Sequence, residues 1–214
     1  QNGWFVGQDI NAIWDYNITG VWQLGQEDDA TAFGQVPGDF RSEDVNGDNL
    51  YTQLEDKQFI GYTTPRWRLG LRNEFTFFKN FTLSTFLRGE FGHKGRLSQL
   101  VHGRSGIYPN VNTYDLPYWT PENPTNDYGS LVQNNGVYET GLNVYRDRSY
   151  LRVQDVTLSF NLPESLLNDL KFDNASVYAS VRNLYTFTSW EGLDPETDST
   201  PMPRIFTFGF RLSL

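Results

Sequence analysis

Three groups of side chains in this 214-residue sequence could do chemistry. The first is acidic: Asp44, Asn46, Asp48, Leu50, Thr52 and Glu55 stand at positions 1, 3, 5, 7, 9 and 12 of the EF-hand loop pattern. That pattern supplies side-chain oxygens early, a backbone carbonyl at the seventh position and a bidentate carboxylate at the last, which is ligation for a hard cation. Calcium suits it better than magnesium, which holds a tight octahedron and keeps its waters. Asn49 stands where glycine normally makes the sharp turn, and asparagine tolerates the left-handed conformation best after glycine. The expected role is to pin a long loop; the competing reading is an acidic turn in which the aspartates only cap backbone amides.

The second group is aromatic. Tyr108, Tyr114, Tyr118 and Trp119 fall in one irregular stretch and Trp190 in another. Flat rings with a polar tip stack on sugars or peptide side chains, so these are the candidate substrate-binding residues; the alternative is that they pack their own loops. The third group, His93 and His102, lacks metal-ligand spacing and a neighbouring carboxylate, and Gly103-Arg104-Ser105-Gly106 is not a nucleophile elbow. Glu27-Asp28-Asp29 reads as a solvated run. No catalytic residue is assigned, and an enzyme is not expected.

Composition narrows the class. A net charge of -9 without a basic stripe excludes nucleic acid as a partner. There is no cysteine, hence no disulfide or thiolate chemistry. No apolar run approaches the roughly 18 residues of a membrane helix. Aromatic residues make up 16% of the chain and come in short bursts separated by Gly, Asn and Asp, the punctuation of strands and loops. The start, Gln-Asn-Gly-Trp, carries no signal segment, which fits either a processed chain or a piece of a longer one.

The elements that must position these groups alternate with period two. From Pro203 to Leu214, Phe206, Phe208, Phe210, Leu212 and Leu214 interleave with Thr207, Gly209, Arg211 and Ser213. Similar strands are expected from Trp4 to Ile18, after Pro65, from Phe81 to Phe91, and at about Tyr150–Leu162 and Ala175–Phe187. Lys79-Asn80 makes a tight turn, and Pro163 to Leu167 a helical one. The connections at 19–63, 92–148 and 189–202 are long. Trp14, Tyr16, Phe77, Phe78 and Phe81 at strand ends suit an interfacial girdle, while Arg66, Arg68, Arg72, Arg88, Arg152, Arg182 and Arg211 fall on polar faces. Long outer loops with short inner turns characterise outer-membrane barrels, and six strands are too few to close one of at least about eight. A soluble, calcium-stabilised, carbohydrate-binding β-sandwich is the alternative, distinguished by Phe206, Phe208 and Phe210 lying buried between two sheets.

Several phrases in order resemble the C-terminal part of a SusC-like TonB-dependent outer-membrane transporter: Gly20-Val21-Trp22-Gln23, Gly34 to Asp39, Asp44 to Asp48, Ile60-Gly61, Tyr145 to Val153 and Val181 to Tyr185. The resemblance covers nearly all of residues 1–214. It implies an all-β fold, the last six antiparallel strands of a transmembrane β-barrel of about 22 strands, with the plug and earlier strands outside this chain. It further implies import of oligosaccharides or peptides across the bacterial outer membrane. The partners it implies are the remainder of the barrel and plug, a SusD-like lipoprotein lid, TonB acting through the plug, and outer-membrane lipid. Leu214 departs from the aromatic residue with which such barrels commonly end.

Overall fold

The structure, a computed structural model, describes residues 4–97, 115–130, 142–170, 172–198 and 200–213. In chain order its elements are β1 (Ala12–Tyr16), β2 (Ile18–Val21), α1 (Glu27–Ala32), β3 (Phe40–Ser42), β4 (Lys57–Tyr62), β5 (Trp67–Phe77), β6 (Phe81–Phe91), β7 (Lys94–Arg96), β8 (Tyr145–Asp147), β9 (Tyr150–Asn161), α2 (Glu164–Leu170), β10 (Asn174–Thr188) and β11 (Ile205–Ser213). They fall into two compact units, residues 1–64 with 94–146, and residues 65–93 with 147–214.

The second unit is one antiparallel sheet in the order β11-β10-β9-β6-β5. Register gives its two faces different chemistry, one mostly apolar and one mostly polar. One row across all its strands reads Phe75, Leu83, Leu158, Ala179, Phe208; the next reads Glu74, Ser84, Thr157, Ser180, Thr207. Each strand thus contributes its apolar set to the same side, as period two requires. Among the described residues little covers the apolar side: Phe206, Phe208 and Phe210 are 66%, 79% and 73% exposed. A sandwich would bury these residues between two sheets, which this exposure does not fit. Strands of 11 and 12 residues in β5, β6 and β9 meet the roughly 9–11 that a tilted membrane strand needs.

Local chemistry fixes the turns. Between β5 and β6, Phe78 and Lys79 both take positive φ (48° and 63°), closing a short connection that the Asn80 amide ties to the Asn161 carbonyl at 2.8 Å. Phe77, Phe81 and Phe160 stack in sequence at this end, with centroids 5.6 and 4.7 Å apart. On the polar side Gly209 lies under the Tyr178 ring, where a Cβ would come within 2.6 Å, and Arg211 sits over the same ring.

Two bulges break the strict alternation at one level of the sheet. Against β6, Gln154 is an extra residue, because Phe86 faces Asp155 and Leu87 faces Val153. On β10 the register shifts between Arg182 and Tyr185, with Asn183 in the left-handed region at φ 55°. Past the bulge Leu151 and Val153 stay on the apolar side and Tyr150 and Arg152 on the polar one, so the parity of β9 reverses without mixing the faces.

In the first unit the sheets are two-stranded, β1 with β4 and β2 with β3, and β7 pairs with β8. Its core comes from scattered residues, Ile13, Tyr16, Val21, Trp22, Phe40, Trp119, Leu142 and Val144, all buried. Three expectations change here. Trp4 to Ile18 is not one strand: residues before β1 form turns, with Gly7 at φ 85° and the Asp9 carboxylate accepting the Asn11 amide. Tyr16 belongs to this core instead of an interfacial girdle. The stretch after β1 is no open loop, since β4 returns to pair with β1 and α1 docks Ala30 into the interior.

Candidate functional site

The acidic loop, in the first unit, hangs from a buried carboxylate. Asp56 is fully buried and accepts the Val45 amide at 3.0 Å and the Thr52 amide at 2.7 Å, closing the loop at its base. Tyr51 donates its hydroxyl to the Ser42 carbonyl, stacks on Phe33 and, through burial, has its pKa pushed up to about 12. Above this base the Asp44 carboxylate accepts the amides of Gly47 and Asn49 at 2.8 and 3.0 Å. The Asn46 side-chain nitrogen donates to Asp48 at 3.0 Å and Glu55 at 3.1 Å, and Thr52 adds its hydroxyl to Glu55 at 3.2 Å. Asn49 takes φ 63°, as its place in the pattern requires. Asn46, Asp48, Thr52 and Glu55 are therefore brought together, Asp44 turns to the backbone, and the Leu50 amide is accepted by Asp48. Among the described residues no group of three or more His, Cys, Asp or Glu side chains is disposed to hold a metal ion.

The phrases around Trp22 and Gln35 form a buried knot. The Trp22 indole donates to the Gln35 amide oxygen at 2.7 Å, and the Gln35 nitrogen donates to the Phe40 carbonyl at 3.1 Å. Trp119 closes over Gly38, where a Cβ would meet its ring at 2.7 Å, and donates to Gln23 at 2.9 Å. So Trp119 packs inside the unit, and Tyr118 sets its ring edge-on to Tyr128. Tyr108, Tyr114 and His102 lie outside the described residues.

Trp190 belongs to the second unit, beside a buried charge network. Arg152, 1% exposed, donates to Asp194 and Glu196 at 2.7 Å each and to the Thr186 hydroxyl at 2.9 Å. Glu196 also pairs with Arg88 at 2.8 Å, Arg88 with Glu90 at 3.0 Å, and Glu90 with Arg68 at 3.2 Å. Arg148 donates to the carbonyls of Pro195 and Glu196 while its guanidinium lies 5.6 Å from the centroid of the Trp190 ring. Asp194, Pro195 and Glu196 are thereby clamped to the polar face of the sheet. Arg152 lies on the polar face, as expected; Asp194 and Glu196 were missed in the sequence because they stand 42 and 44 positions away in an aperiodic stretch. His93 is buried with Nδ1 unpartnered, and among the described residues it belongs to no metal-holding group.

No family model matches the chain. It is 32% identical over 198 residues to TonB-dependent receptor P3 of Formosa agariphila, an alignment covering 90% of this chain and 19% of that protein. The chain is homologous to TonB-dependent receptors. A second, TonB-dependent receptor P26 of the same organism, is 26% identical over 97% of the chain and 23% of its own length. The chain thus spans about a fifth of the length of the receptors it matches. Its fold matches the RagAB peptide importer in the open-open state with a TM-score of 0.65 at 21% identity, covering 99% of this chain and 23% of that one. The RagAB peptide transporter gives 0.62 at 22% identity, over 94% of this chain and 22% of that one. These likenesses support the fold, a segment of a TonB-dependent receptor barrel.

Proposed function

We propose that this chain forms part of the wall and outer loops of a bacterial outer-membrane importer that is driven by TonB through a plug and works with a SusD-like surface lipoprotein. The observation that carries the reading is the five-stranded sheet whose apolar face leaves large side chains exposed on β5, β9, β10 and β11 while its other face is mostly polar. Only lipid satisfies such a face, and a wall of this kind does no covalent chemistry. The substrate class is an oligosaccharide or a peptide. Tyr108, Tyr114, Tyr118, Trp119 and Trp190 remain its candidate contacts, Trp119 and Trp190 acting by shaping their loops since both are buried. In the test, tagged full-length receptor should fractionate with the outer membrane and co-purify with a lipoprotein. Uptake of labelled peptides or oligosaccharides should stop when TonB is deleted. Recovery of the receptor as a soluble periplasmic protein would sink the reading.

The acidic loop, on the same reading, is a structural calcium site. Support comes from the convergence of Asp48 and Glu55 on Asn46, whose amide turned over would offer its oxygen beside their carboxylates. Leu50 and Thr52 fill the remaining places of the pattern. Titration of the full-length receptor with calcium should show one site that Glu55→Gln weakens; heat release unchanged by that substitution counts against it.

A further inference from the structure

β10 outruns one of its neighbours. β11 accompanies it only as far as Arg182 against Ile205, whereas β9 stays with it to Thr188 against Tyr150. From Asn183 to Thr188, one backbone edge of β10 therefore has no strand partner among the described residues. The segment returning past that edge is unable to supply one. Pro201 and Pro203 have no N–H to donate to a ladder. In place of a ladder bond, the Asn183 side chain donates to the Pro203 carbonyl at 3.0 Å. Between edge and segment lies a slot of about 300 Å3, lined among others by Tyr185, Thr186, Trp190, Met202 and Arg204. That is the lower end of the size range of ligand pockets, about 300–1,000 Å3. Arg204 is exposed and takes part in no ion pair among the described residues.

We propose that this slot receives an extended peptide, which adds to the free edge of β10 as a strand and gives a carboxylate to Arg204. The chemistry discriminates between the two substrate classes of the importer reading, on which the proposal rests for its biological ligand. An edge presents N–H and C=O groups alternately at the spacing of a strand, and an extended backbone is its complement. A sugar chain carries hydroxyls at a different repeat and lacks the alternation. Strand addition draws affinity from the main chain and selectivity from flanking pockets, here Tyr185 and Met202 with Arg204 as the charged end. A planar guanidinium is matched to a carboxylate in two parallel hydrogen bonds.

The test uses full-length receptor in detergent, with the photoreactive amino acid p-benzoylphenylalanine at Met202 and a tryptic digest of serum albumin as the probe. Irradiation should yield peptide adducts that excess digest competes away and maltodextrin does not. Arg204→Glu should lower the yield about tenfold, as loss of a charge-assisted hydrogen bond does. A captured peptide, resynthesised with N-methyl groups on alternate amides, should lose capture by a similar factor because its ladder donors are gone. Absence of adducts, equal capture of the N-methylated peptide, or crosslinking to the receptor's own chain each overturns the proposal. Uptake of labelled digest without a Met202 adduct would sink the slot and leave the importer; adducts without TonB-dependent uptake would do the reverse.

Discussion

Arg152 shows how much a single polar-face residue commits. Its guanidinium and the Asp194 carboxylate are both buried, and each satisfies the other's charge, with Glu196 and Thr186 completing the guanidinium's bonds. Arg152→Leu leaves Asp194 an uncompensated charge, a cost of about 3–5 kcal/mol. We expect the 189–204 segment to lose hydrogen-exchange protection in the full-length receptor, while peptides from β5 keep theirs. His93 makes a pH prediction. Burial first, then Arg148 and Arg68, lower its pKa below the ordinary value, against the opposing pull of Glu90 and Asp147. A lowered folded pKa means that the unfolded state takes up the proton first as pH falls. Stability is thus full above about pH 6.5 and declines below it. Protection near residues 92–93 and 147–149 should be weaker at pH 5.5 than at pH 7.5, and His93→Gln should remove most of the difference. The polar placement of Arg68, Arg72, Arg88, Arg152, Arg182 and Arg211 was read from the sequence, and for all but Arg152, which lies past the bulge of β9, side-chain parity follows directly from residue spacing. Their partners were not, since Asp194 lies 42 positions from Arg152 in an aperiodic stretch.

At the scale of elements, legibility tracked periodicity. β5 and β6 occupy Trp67–Phe77 and Phe81–Phe91, and β10 and β11 fall within a residue or two of the alternation that announced them. A membrane-facing strand displays one pure face over its full length, so its pattern is strong. The first unit gave no such signal. Its core is assembled from single apolar residues in short strands and turns, held by contacts such as Trp22 to Gln35 and Asp56 to Thr52, which leave no period to read. The expected strand from Trp4 failed for that reason. The sheet's two rows also set up a paired test on β11. Phe208→Arg places a charge on the lipid side and should cost about 2–4 kcal/mol if near the bilayer midplane, whereas Thr207→Arg, on the polar side, should cost far less. Urea unfolding of refolded full-length receptor distinguishes them, and equal losses would argue against the membrane assignment of the faces.

For the chain as a whole, the sheet of the second unit ends in two strands, β5 and β11, each with one edge unpaired among the described residues. Unpaired edges are tolerated in neither water nor hydrocarbon, and a bare apolar face is not tolerated in water. Residues 1–214 made alone should therefore aggregate; a monomeric peak on size exclusion with a cooperative melt would contradict this. Shape poses a separate question, and the bulge at Gln154 bears on it. Because Asp155 and Val153 already face adjacent residues of β6, deleting Gln154 would leave every remaining side chain of β9 on its present side. Lipid would meet the same surface, and so would the interior. What would disappear is the extra local coil that a bulge gives a strand, a crease crossing β9 at the level where Asn183 kinks β10. An insertion or deletion at this position is silent in polarity and audible only in curvature, so related receptors could re-aim the rim that carries Arg152 without altering either face.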